Sequence, residues 1–188
     1  MAKRQSIKQH QKMLKKYMEK QSPVKIYRTI LGENQNLFGF ILDMSSDFLL
    51  LHLIDDFAFD GYAIIRKFDY DSIRHNKYDK TTKMILQGEG IFEQLGIEQK
   101  INLESWKEAL LDLKRYDYHV IVESQKKKSV GFHIGPIINV GQKKVEIHYY
   151  DPTGKFDEKT SKIKLDQMTS IMLGDNYSTI FRKYLKII

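Results

Sequence analysis

Residues 39–55, GFILDMSSDFLLLHLID, written above residues 135–151, GPIINVGQKKVEIHYYD, show one pattern twice. Gly39, Ile41, His52 and Asp55 fall on Gly135, Ile137, His148 and Asp151 at a constant offset of 96, and the apolar pairs Met44/Val140, Leu49/Val145 and Leu51/Ile147 keep step with them. Ile65, Ser72 and Ile73 then match Ile163, Ser170 and Ile171 at an offset of 98, as a connection two residues longer in the second stretch would give. Self-similarity in this order predicts an internal duplication. In both stretches, alternating apolar runs flank a short polar tip, Ser45–Asp47 or Gly141–Lys143, which reads as a pair of antiparallel strands, Leu37–Met44 with Phe48–Asp55 and Gly131–Val140 with Lys144–Tyr150. Leu50 and Ile54 replace polar neighbours in the first stretch, so Phe48–Asp55 is expected to be covered on both faces.

Outward from these pairs, each copy has the same plan. A helix is expected over Ser6–Gln21, where Ile7, Leu14, Tyr17 and Met18 sit near helical spacing. In the second copy Asn102 is read as an N-cap, ahead of a stripe of Leu103, Trp106, Leu110 and Leu113. A first strand follows (Val24–Leu31; Tyr118–Ser124), and a fourth (Gly61–Phe68; Ser161–Leu165) and a short fifth (Ser72–His75; Ser170–Leu173) complete each unit. The expected division is 1–86, a linker over 87–101 with at most one helical turn, and 102–188.

Helix followed by five short, bent strands with a glycine in the second is the plan of the Sm-like fold. Gly39, Ile41 and Phe48 resemble the first motif of that family, and Ile65-Arg66 followed by Ile73 resembles its second. Asp60–Arg74, DGYAIIRKFDYDSIR, is similar to an uncharacterised bacterial family built from a tandem of such units. The resemblance implies an α+β, mostly β chain: two tandem Sm-like, SH3-like small open barrels, each preceded by an α-helix. It also implies pairing through exposed barrel edges. Where Sm-like proteins place an aspartate and an asparagine near a bound base, this chain has Ser45 and Leu49, then Gly141 and Val145. Lys67 stands in place of the glycine after the arginine.

The composition fits packed units: 41% hydrophobic, with 11 Tyr, 10 Phe and three prolines in 188 residues. The absence of cysteine excludes disulfides, thiolate metal sites and a cysteine nucleophile. No run approaches a membrane-spanning length, and the N-terminus has no apolar segment behind its charges, so a cytoplasmic location without membrane attachment is expected. The net charge is +7, and residues 1–20 supply most of it through Lys3, Arg4, Lys8, Lys12, Lys15, Lys16 and Lys20 against Glu19.

Two function classes follow. One is a non-catalytic interaction or assembly module, joining a protein partner or further copies of itself through edge strands or an aromatic surface of Tyr62, Tyr149 and Tyr150. The alternative is RNA binding, in which Lys8, Lys12, Lys15, Lys16, Arg66, Lys67, Lys126, Lys127 and Lys128 neutralise phosphates. His119, His133 and His148 lie on neighbouring strands but lack a ligand-pair spacing, and Asp55, Asp56 and Asp60 read as turn chemistry. No catalytic residue, cofactor or metal is expected.

Overall fold

The computed structural model describes residues 7–126 and 129–185. The class is α+β, mostly β. Helix α1 (Ile7–Glu19) precedes β1 (Pro23–Ile30), β2 (Glu33–Met44), β3 (Phe48–Asp55), β4 (Ala58–Arg66) and β5 (Ser72–Arg74). Helix α2 (Lys77–Gly88), a short 3₁₀ turn at Ile91–Gln94 and helix α3 (Trp106–Arg115) follow. Then come β6 (His119–Lys126), β7 (Ser129–Val140), β8 (Lys144–Ile147), β9 (Ser161–Lys164), β10 (Met168–Leu173) and α4 (Asn176–Arg182).

The ten strands form one open antiparallel sheet in the order β5-β1-β2-β3-β4-β10-β6-β7-β8-β9. The first five strands therefore run fifth, first, second, third, fourth, and the last five repeat that order. Between the two sets, β4 pairs with β10 over Tyr62–Ile65 and Ser170–Leu173.

Each set bends at its second strand. A Cβ built on Gly39 would lie 2.1 Å from the His52 carbonyl oxygen, and one on Gly135 would lie 2.0 Å from that of His148. Both contacts are with backbone, so a side chain at either position forces the ladder open. The register shifts just beyond each glycine, between Ile41 and Asp43 and between Ile137 and Asn139. Such bulges sharpen the local bend.

Alternation along β3, β4 and β10 feeds two cores. Leu49, Leu51, Ala63 and Ile65 join Leu14 of α1 with Val24, Ile26 and Ile41. Phe48, Leu50, Ile64, Ile171 and Leu173 face the other way, into a larger core with Trp106, Leu110 and Leu113 of α3 and Val120, Val122, Val145 and Ile147. Strand β3 is thus buried on both faces, as Leu50 and Ile54 at the otherwise polar positions predicted. Among the described residues no helix is long and apolar enough to cross a membrane.

Two local expectations are corrected, and one helix is added. Residues 77–88, where no element was expected before the linker, form α2. Asn76 caps it by accepting the Tyr78 N–H, while the Asp79 carboxylate accepts the Asn76 N–H at 2.7 Å. Helix α3 starts at Trp106 with Ser105, not Asn102, as its cap, because Asn102 closes the preceding turn by accepting the Glu104 N–H. The third strand of the second set stops at Ile147, short of the expected Tyr150, which makes only an isolated bridge to Phe156.

Gly39→Ala and Gly135→Ala should each cost about 3 kcal/mol or more, read as a lower urea midpoint. A loss under about 1 kcal/mol at either site would show that the bend does not depend on that close approach.

Candidate functional site

Lys8, Lys12, Lys15 and Lys16 are all exposed on α1. The helix is fixed on its other side by Leu14, wholly buried, with Tyr17 and Met18 packed beside it. Lys15 meets Glu19 at 3.7 Å on the surface. His10 closes the other flank, hydrogen-bonded to the Tyr70 hydroxyl and tilted against Phe68. Burial, and then the Lys67 ammonium, hold its pKa below the ordinary imidazole value.

Arg66 and Lys67 do not join this basic face. Arg66 pairs with Phe48 across the ladder, which places it on the α3 side of the sheet, with its guanidinium 5.7 Å from the centre of the Trp106 ring. Lys67 is buried, its ammonium donating to the Ser45 carbonyl at 2.9 Å and its backbone N–H to that of Asp47 at 2.6 Å. Burial lowers its pKa, opposed by Asp47. Its place in the fold is to hold the β2–β3 turn. Lys126 ends β6 opposite Ser129, and Lys127 and Lys128 lie outside the described residues.

A pocket of about 640 Å³ opens where the two strand sets meet, lined by Asp47, Arg66, Phe68, Asp69, Asp166 and Thr169 among others. Close by, Arg28 is 2% exposed and donates to the Thr169 carbonyl at 3.3 Å. Its pKa is pulled down by burial and pushed back by Asp69 and Glu123. Three carboxylates against one guanidinium make this wall unfavourable for phosphate. The base-contact positions of the Sm-like resemblance are also committed to the fold. Leu49 and Val145 are wholly buried, and the Ser45 hydroxyl accepts the N–H groups of Asp47 and Phe48.

The aromatic surface dissolves into packing. Tyr150 is 1% exposed and stacks on Phe181 with ring centres 5.2 Å apart. Tyr62 stacks on one face of His52 at 4.4 Å, and Phe59 covers the other at 4.0 Å. The connector is pinned there: the Gly96 N–H donates to His52 Nδ1 at 3.3 Å, and the Tyr62 hydroxyl donates to the Gly96 carbonyl at 2.8 Å. Asp60, of the acidic loop, accepts the N–H of Asn176 at the start of α4. Among the described residues no group of three or more His, Asp or Glu is placed to hold a metal.

Sequence reasoning missed a second set of cations. Lys80 and Lys83 line a cleft together with Lys16, Lys20 and the His75 ring. The signal that would have found them is the pair Asn76 and Asp79, spaced as a capping box, which marks residues 77–88 as a helix.

Burial drives the His52 pKa down from 6.5 to about 4, and that of His119 also to about 4, with Arg182 adding to the effect there. In the unfolded chain both histidines take a proton near their ordinary 6.5. The unfolded state therefore binds more protons between these values, and the stability contributed by the neutral rings is complete above pH 6.5 and lost as pH falls towards 4. His52→Phe keeps a flat ring between Phe59 and Tyr62 but cannot titrate. Its thermal midpoint should fall less than the parent's across this window, and equal slopes would remove His52 as a source of the acid sensitivity.

Comparison with family models, curated proteins and solved structures finds no match to this chain.

Proposed function

We propose that the chain is a tandem of two Sm-like units and works as a non-catalytic assembly module that joins further copies of itself through its strand edges. One observation carries this reading. The seam between the strand sets is an edge-to-edge pairing of the fourth strand of one with the fifth of the other, and the sheet ends on the two remaining strands of those kinds, β9 and β5.

The edges suit each other. Transferring the β4–β10 register at the offset of 98 sets Ile163 opposite Ser72 and Lys164 opposite Asp71, an unlike-charge pair. The Leu165 N–H donates to the Lys143 carbonyl at 3.0 Å. Alternation then turns the N–H of Ile163 towards β8 and those of Lys162 and Lys164 out to the free edge. Free edges invite a strand from another chain.

Lys164→Pro tests this edge. The backbone at Lys164 has φ −76°, which proline adopts without strain, and the N–H removed is one that β8 does not use. The parent protein should exceed its monomer mass in sedimentation experiments and dissociate on dilution. The variant should stay monomeric with an unchanged melting temperature. A parent that is monomeric at every concentration, or a variant that still associates, overturns the reading.

A further inference from the structure

Lys8, Lys12, Lys16 and Lys20 follow one another at intervals of four residues, and all four are exposed. Each step advances about 6 Å along the helix and turns 40° beyond a full revolution. Lys12 and Lys16 lie two residues either side of buried Leu14, so they point away from the core. The result is a gently winding line of ammonium groups along α1 and the residue that follows it, running about 18 Å from first to last.

The line runs into the cleft between the end of α1 and α2. This cleft has a volume of about 540 Å³ and is lined by Lys16, Lys20, Lys80, Lys83 and His75, with no carboxylate among its lining residues. Two acids next to its lining residues in sequence are engaged elsewhere: Glu19 with Lys15 on the surface, and Asp79 with Arg74 and the Asn76 N–H. Lys83 is drawn in far enough to donate to the Lys20 carbonyl at 3.0 Å, and burial lowers its pKa. His75 is held by the Pro23 carbonyl at 2.7 Å from Nδ1.

Four ammonium groups gathered around one cleft repel one another, and no side chain in the cleft neutralises them. An anion would. A single small anion fills a cleft, but a line of cations leading into it fits a linear polyanion with charges at regular intervals. We propose that the α1 lysine line and the α1–α2 cleft together hold the sugar–phosphate backbone of a polynucleotide, without reading its sequence. The acidic lining of the seam pocket keeps the strand off that part of the surface. The proposal stands apart from edge pairing, since neither β5 nor β9 supplies a ligand.

The test uses the full chain and a fluorescently labelled homopolymeric single-stranded RNA, with binding read by anisotropy over a range of salt. Lys80→Glu/Lys83→Glu should weaken binding at least about tenfold and flatten the slope of log K against log salt by about two. Lys80→Glu alone alters an exposed side chain with no part in the fold and should flatten it by about one. Lys155→Glu/Lys159→Glu makes the same change of net charge in the second strand set and should bind as the parent does. Equal losses in both double variants, or no binding by the parent at low salt, overturn the proposal. So does binding to anionic lipid vesicles but not to RNA.

Discussion

The carbonyl groups of His52 and His148 occupy space that a Cβ on Gly39 or Gly135 would need. This approach of strand three to strand two, with the bulge just after it, is the constraint on which the rest of the sheet depends. A ribbon of five strands that stayed flat would leave its fifth strand far from its first. Here the bend carries β5 back to pair with β1, and β10 back to β6. Once the fifth strand has closed onto the first, the fourth and fifth are left as the outer strands of each set. That in turn makes the β4–β10 pairing available.

Packing, more than hydrogen bonding, holds the two sets together. Ile64, Ile65, Ile171 and Leu173 are wholly buried at the seam, and burying a side chain of this size is worth about 1.5–3 kcal/mol. A ladder hydrogen bond contributes a net of only about 1 kcal/mol. Alternation also sends Ile65 into the core beneath α1 and Ile64 into the core beneath α3. Strand β4 therefore belongs to both cores. The tie from Arg28 to Thr169 and the approach of Gly61, whose Cβ would lie 2.4 Å from the Asp175 nitrogen, make the same junction from other directions.

What was legible in the sequence follows from this physics. The glycines, the histidines whose carbonyls approach them and the strand order left their mark at a fixed offset because the same bend recurs in both sets. The pairing of β4 with β10 joins residues more than 100 positions apart and leaves no local periodicity to read. Helix α2 buries only Asp79 and Leu86, so it carries no apolar stripe, and its two threonines favour other conformations. Of the cations, α1 could be read because a charged face on a helix needs no tertiary knowledge. Lys67 and Arg28 could not, since their burial depends on the β2–β3 turn and on β10. The capping-box spacing marks Lys80 and Lys83 as helical, but their meeting with Lys16 and Lys20 depends on the fold bringing α2 to the end of α1.

The corner where β5 runs into α2 joins the two proposed activities. Arg74, in the edge strand, binds Asp79 through two of its nitrogens at 2.7 and 3.3 Å and reaches the Tyr27 hydroxyl with a third at 3.0 Å. The same carboxylate accepts the N–H of Asn76 and so fixes the first turn of α2. The carboxylate is almost wholly buried while the guanidinium stays partly exposed, so this ion pair is less screened than one on the surface. One carboxylate thus sets both the end of the free edge and the direction in which Lys80 and Lys83 leave α2. A strand added at β5 would lie beside the cleft, whose wall begins at His75, the residue after the edge strand. Copies joined through their edges would then carry one lysine-lined cleft each, all in the same orientation. A polynucleotide following such an array would gain from several weak contacts held at fixed spacing, in which each added site acts as a high local concentration for the next.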